Sequence, residues 1–248
     1  MYKGLKVAVV IPAHDEALAI AKVVAGLLAL KGPDAEPVVD DLVVCDNAST
    51  DGTAEAARVA GARVVRQEEL GYGVACLTAL AETAPADVVL FVDGDDSCKV
   101  EQAIRLLDGI AAGDDLAIGS RVLGDMERGA LAPVQRFGNA LSAGLIRLIW
   151  GVRITDLGPF RAIRTSALES IAMVDRRFGW TVEMQIKAIQ LGLRMGEYPV
   201  DSTVRIGRSK ISGTVKGSVL AGVGILSKIF VLRLRQANLR ATAGVKAP

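Results

Sequence analysis

Histidine occurs once in the 248 residues, at His14, and the three cysteines, Cys45, Cys76 and Cys98, are widely separated with no CxxC pair. A zinc centre of the Cys/His kind is therefore excluded, and the thiols read as reduced core residues of a cytoplasmic protein. Excess charge is also missing. Lysine plus arginine number 29 against 28 aspartate plus glutamate, a net +1, which gives no general attraction to nucleic acid, so an anionic ligand must be held locally. The opening MYKGLKVAVVIPAHDE has no long apolar segment behind its basic residues and is not expected to act as a signal peptide. The most apolar later run, Val219 to Leu232, is interrupted by Lys228 and falls short of the ~20 apolar residues of a spanning helix. It is long enough to lie on a membrane surface.

What is present is an alternation. Apolar, β-branched runs (VAVVIP, DLVVCD, ARVVRQ, DVVLFV, LAIGSR) are separated by helical patterns (AIAKVVAGLLAL, TAEAARVAG, YGVACLTALAET, VEQAIRLLDGIAAG). Such a sequence predicts an α/β fold with a doubly wound, mostly parallel sheet and helices on both faces. Ligands of these sheets bind beyond the carboxyl ends of the strands. That rule selects PAHDE, CDNASTDGT and DGDDS, and all three carry carboxylates. Past Arg121 the alternation weakens, and ANLRATAGVKAP reads as a frayed end.

Each loop also has an ordinary reading. Asp93 and Asp95 follow VVLFV, where two carboxylates call for a cation such as Mg2+ or Mn2+, yet a polar turn before the helix near Lys99 has the same composition. Asp51 and Thr53 suit a helix start, and Asp15 and Glu16 suit the positive end of a helix dipole. Asp46, directly after LVVC, stands where acidic residues recognise a ribose or base. Arg205 to Gly213, RIGRSKISG, is either a solvated basic loop or a phosphate clamp. Trp150 and Trp180 read as packing residues.

In this order and at these strand ends the segments resemble the family 2 glycosyltransferases of GT-A fold, and most closely the dolichyl- and polyprenyl-phosphate mannose or glucose synthases. The match runs through VAVVIPAHDE, LVVCDNASTDGT, GYGVACLTAL, VVLFVDGDD, IGSR, RFGNAL, TDLGPFRAI, GWTVEMQIKA and RIGRSKISGT. Ser97 stands where many polyprenyl-phosphate synthases carry glutamine, and the common TDxxSGFR reads TDLGPFR from Thr155 to Arg161. The resemblance implies a GT-A domain over residues 1–218, with a nucleotide-sugar-binding half to 121 and an acceptor half with the basic loop over 122–218. An amphipathic helix and tail then occupy 219–248. It implies that Pro12, His14, Glu16, Asp46, Asp93, Gly94 and Asp95 meet the nucleotide, and that Asp93 and Asp95 bind the metal. Arg121, Arg136, Arg205, Arg208, Ser209 and Lys210 would meet the phosphates and the acceptor.

The implied reaction is an inverting, metal-dependent transfer of a hexose from a nucleotide diphosphate sugar. With polyprenyl phosphate as acceptor, arginines suffice and the enzyme sits peripherally on the inner face of the membrane. With a soluble hydroxyl acceptor a base is needed, and Asp156 and Glu183 are the candidates. A nucleotidyltransferase would need a glycine-rich basic loop where PAHDEA is acidic. A non-catalytic nucleotide-sugar-binding protein is the contrasting class.

Overall fold

The computed structural model describes residues 1–207 and 215–242. In chain order the elements are β1 (Val7–Ala13), α1 (Ile20–Leu28), β2 (Asp41–Asn47), α2 (Thr53–Val59), β3 (Arg63–Gln67), α3 (Tyr72–Ala81), β4 (Val88–Phe91), a 3-10 turn (Val100–Gln102) with α4 (Ala103–Ala111), and β5 (Leu116–Ser120). There follow α5 (Pro133–Trp150), β6 (Arg161–Arg164), α6 (Thr165–Ile171), α7 (Trp180–Leu191), β7 (Met195–Pro199) and α8 (Val215–Thr242). The strands form one seven-stranded sheet in the order β3-β2-β1-β4-β6-β5-β7, in which β6 alone runs antiparallel to its neighbours. All five strands expected from the apolar runs are present.

Alternation along the strands assigns the two faces. Val7, Val9 and Ile11 of β1 join Ile20, Leu27, Leu106 and Leu107 in one core beneath α1 and α4. Val10 turns the other way, with Val43, Cys45, Phe91 and Met184, into a second core under α3, α6 and α7. Trp180 is buried there and meets Phe91 edge-on at 6.0 Å between ring centroids, as the packing reading expects. Cys45, Cys76 and Cys98 are all buried and free.

The second half adds two strands that the sequence pattern does not announce. In β6 the apolar pair Ala162 and Ile163 is flanked by Arg161 and Arg164. Arg161 is fully buried, its guanidinium donating to the carbonyls of Gly158 and Thr181, and burial pushes its pKa down to about 10. β7 is an edge strand, half-covered, closing on Pro199. A third apolar cluster joins α5, α7 and α8 through Ile146, Val182, Ile186, Ile229 and Leu232. The line drawn at residue 218 falls inside α8. Gly151 ends α5 at φ 74°, a left-handed cap that costs glycine nothing.

Candidate active site

The ends of β1, β2 and β4 carry the three acidic loops, and the first two are stitched together. The Asp15 and Glu16 amides donate to Ser49 Oγ (3.0 Å) and Thr53 Oγ1 (2.8 Å), and Thr50 N–H returns to Asp15 Oδ1 at 2.7 Å. Asp51 also serves the start of α2, accepting from Thr53 N–H at 2.9 Å. Each of the three loops holds one non-glycine residue in the left-handed region: Asp15 (φ 52°), Ala48 (φ 53°) and Asp96 (φ 58°). Backbone of that kind persists where the surroundings over-determine it.

Between these loops lies a cavity of about 320 Å³, within the range of small-ligand sites. Its wall includes Pro12, His14, Glu16, Asp93, Gly94, Asp95 and Arg205 from the expected set. His14 Nδ1 lies 2.7 Å from the Asn47 carbonyl, which can only accept, so that nitrogen carries a proton. Asn47, Tyr72, Arg177 and Phe178 complete the wall and were not foreseen. Glycine brings them in. A Cβ on Gly73 would lie 2.0 Å from the Asp175 carbonyl, so only glycine lets the start of α3 approach the 175–178 loop, whose Arg176 and Arg177 carbonyls accept the amides of Val74 and Gly73.

Asp93 and Asp95 leave β4 side by side. Tyr72 donates its hydroxyl to Asp93 Oδ1 at 3.0 Å. Burial and the Asp95 charge push Asp93 up to about 7. Arg205 pairs with Asp95 Oδ2, and the same segment donates the Ile206 amide to the Asp95 carbonyl at 3.0 Å. A buried carboxylate with a second carboxylate beside it favours a cation. No group of three His, Cys, Asp or Glu side chains gathers around a metal position among the described residues. A pair of carboxylates leaving several positions to water and diphosphate oxygens suits Mg2+ or Mn2+, so the donor set fits such an ion.

A second cavity, of about 640 Å³, is lined by Arg121, Arg128, Arg136, Asn139, Thr155 and Asp156 among others. Asp156 is 1% exposed. Its Oδ2 accepts from Arg121 N–H and Nε, both at 2.8 Å, and its Oδ1 accepts from Arg121 Nη2 at 2.7 Å. The side chain of Asn139 bridges α5 to the 155–157 loop, donating to the Thr155 carbonyl (3.0 Å) and accepting from Leu157 N–H (2.9 Å).

Two expected positions are not on either cavity wall. Asp46 is buried, paired with Arg66 Nη1 at 2.6 Å and accepting from Ser49 N–H, so it braces the loop bearing Asn47. Glu183 is 0% exposed on α7. Its Oε2 accepts from the Asp175 amide at 2.6 Å and its Oε1 lies 2.9 Å from Lys187 Nζ, so it holds the 174–175 turn. Arg208, Ser209 and Lys210 lie outside the described residues.

A mixed α/β sheet with carboxylates at its central strand ends and two cavities that hold charged residues in their walls matches the fold of the GT-A glycosyltransferases. The crystal structure of glucosyl-3-phosphoglycerate synthase from Mycobacterium tuberculosis, in complex with Mn2+, UDP-glucose and phosphoglyceric acid, superposes with a TM-score of 0.74 at 21% identity, over 98% of this chain and 82% of that one. The model of glycosyl transferase family 2 matches residues 8–172, and the chain belongs to that family. An uncharacterized glycosyltransferase of Mycobacterium tuberculosis is 33% identical over 221 residues, 88% of this chain and 95% of its own. The dolichyl-phosphate hexose transferase of Haloferax volcanii is 33% identical over 230 residues, 92% and 96% of the two chains.

Proposed function

We propose that this glycosyltransferase moves a hexose from a nucleotide diphosphate sugar to polyprenyl phosphate, with inversion and with a divalent cation. The observation that carries the choice of acceptor is the state of Asp156, whose carboxylate is fully engaged by three donors of Arg121 inside a cavity also lined by Arg128 and Arg136. A carboxylate so engaged is a poor base. A phosphate acceptor is already anionic and needs positioning, whereas a hydroxyl acceptor needs a base in reach. Glu183, turned to the 174–175 turn, supplies none. The name of one similar protein, a dolichyl-phosphate hexose transferase, supports the same reading.

In this scheme the nucleotide lies against Pro12, His14, Glu16 and Asn47, and Asp93 and Asp95 hold Mg2+ or Mn2+. The bound ion supplies Lewis-acid stabilisation of the charge that develops on the leaving diphosphate. Arg205, next to Asp95, adds a guanidinium to the same oxygens. Arg121 and Arg136 orient the acceptor phosphate so that its oxygen attacks the anomeric carbon in line with the departing diphosphate. No covalent enzyme intermediate is needed. Asp46 contributes indirectly by fixing the turn beneath Asn47.

The test is a screen of nucleotide hexoses with Mn2+, reading released nucleoside diphosphate with polyprenyl phosphate, with phosphoglycerate, and with a non-phosphorylated sugar. Release stimulated by polyprenyl phosphate supports the proposal. Stimulation only by phosphoglycerate or by the sugar would assign a hydroxyl acceptor.

A further inference from the structure

The chain holds 28 acidic residues, yet neither α5 nor α8 contains one. Among the described residues, eight of the eighteen exposed large apolar side chains lie on these two helices. On α5, Val134, Phe137, Leu141 and Leu148 recur with helical spacing, Phe137 being 69% and Leu148 81% exposed, while Ser142, Ala143 and Ile146 face inward. On α8, Val223, Phe230, Val231 and Leu234 are exposed, while Ile229 and Leu232 pack inward. Both helices therefore carry an apolar stripe away from the side that packs. Arg147, Arg233 and Arg235 are exposed on the same helices, and among the described residues no carboxylate pairs with them. No described helix is long and apolar enough to cross a membrane.

We propose that the exposed stripes of α5 and α8 form a docking surface for an anionic lipid bilayer, laid on the interface without spanning it. The stripes bury in the acyl boundary while the arginines meet lipid phosphates, the combination expected of an interfacial helix. An acid-free pair of helices is complementary in charge to anionic lipid. A second copy of this face would instead set arginine against arginine. The surface also has a position that matters. Arg136, Asn139 and Ala140 of α5 line the second cavity, within one turn of Val134, Phe137 and Leu141. Docking by this stripe places the mouth of that cavity at the height of the lipid head groups, where the phosphate of a membrane-dissolved prenyl chain lies. This inference rests on the acceptor reading above and specifies the surface through which it operates.

The experiment is co-sedimentation of the full chain with phosphatidylglycerol and with phosphatidylcholine vesicles, for wild type and for Phe137→Glu/Leu148→Glu. Both positions are exposed, so the fold should persist, as thermal melting and unaltered affinity for nucleoside diphosphate with Mn2+ would register. Phe137→Ser/Leu148→Ser serves as a second pair without added charge. The expected result is binding to phosphatidylglycerol vesicles that weakens with salt, and a tenfold or greater loss of partitioning in both variants. Absence of binding, equal binding by wild type and variants, or a dimer that dissociates in the variants while vesicle binding is unchanged would each overturn the docking surface. A short-chain, water-dispersed prenyl phosphate separates the two readings. Hexose transfer to it without vesicle binding would sink the docking surface alone, and vesicle binding without transfer to any prenyl phosphate would sink the acceptor reading alone.

Discussion

Arg205 pairs with Asp95 Oδ2, so the segment that leads into the basic loop is latched to a carboxylate at the end of β4. The latch has backbone support, the Ile206 amide donating to the Asp95 carbonyl and the Thr203 amide to the Ser97 carbonyl. A guanidinium there competes with a divalent ion for the same oxygen. Arg205→Gln is expected to tighten Mn2+ binding about three- to tenfold in the absence of nucleotide, and to weaken nucleoside diphosphate binding in the presence of Mn2+. Calorimetry of the two ligands reads both. Changes of the same sign in both would contradict the competition.

Asp95→Asn should leave the fold intact, because asparagine keeps the acceptor for the Ser97 amide while losing the charge. Transfer should fall ~100-fold or more, in keeping with loss of a metal-borne stabilisation. Unchanged turnover under limiting Mn2+ would remove the metal assignment.

Asp156 and Glu183 separate under amide substitution. Asp156→Asn leaves the Arg121 guanidinium without its charge partner and is expected to cost about 2–4 kcal/mol of stability together with most of the transfer. Glu183→Gln should lower the melting temperature but keep transfer within about tenfold, since the 174–175 turn loses a charged acceptor and no base is removed. A loss of ~100-fold in Glu183→Gln with the fold intact would restore the catalytic role that the sequence suggested.

Asp201, just past β7, accepts from Lys99 Nζ at 2.7 Å and from the Asp125 amide at 3.1 Å. These bonds hold its carboxyl down at about 2. A carboxylate depressed in the fold contributes stability above its ordinary pKa and loses it as pH falls through the folded value. The stability difference between wild type and Asp201→Asn, read by urea titration, should be constant above about pH 5 and shrink between about pH 4 and pH 2. A difference independent of pH would mean that the ion pair contributes nothing.

The first cavity was legible because its carboxylates sit at strand ends that hydrophobic alternation locates. Asp93, Gly94, Asp95, His14 and Glu16 fall where β4 and β1 stop, and the cavity is there. Tyr72, Arg177 and Phe178 were not legible, since they reach the cavity only through the close approach permitted at Gly73, a contact between segments about a hundred residues apart. The partner of Asp46 was not legible, because the sequence does not reveal that Arg66 of β3 comes to lie beside it. Glu183 with Lys187 four residues on has the pattern of a surface helix pair, and its burial depends on α8 and the 174–175 turn covering α7. β6 was hidden because its only apolar residues, Ala162 and Ile163, lie between Arg161 and Arg164, too short a run to announce a strand.

The central claim, hexose transfer onto a prenyl phosphate, is tested most directly by incubating the purified chain with Mn2+, a mixture of nucleotide hexoses and polyprenyl phosphate, and weighing the lipid by mass spectrometry. The account predicts a lipid heavier by one hexose residue, formed one-for-one with nucleoside diphosphate and abolished by chelation of the metal. A lipid of unchanged mass alongside bound donor, or hexose appearing only on a non-phosphorylated acceptor, would contradict it.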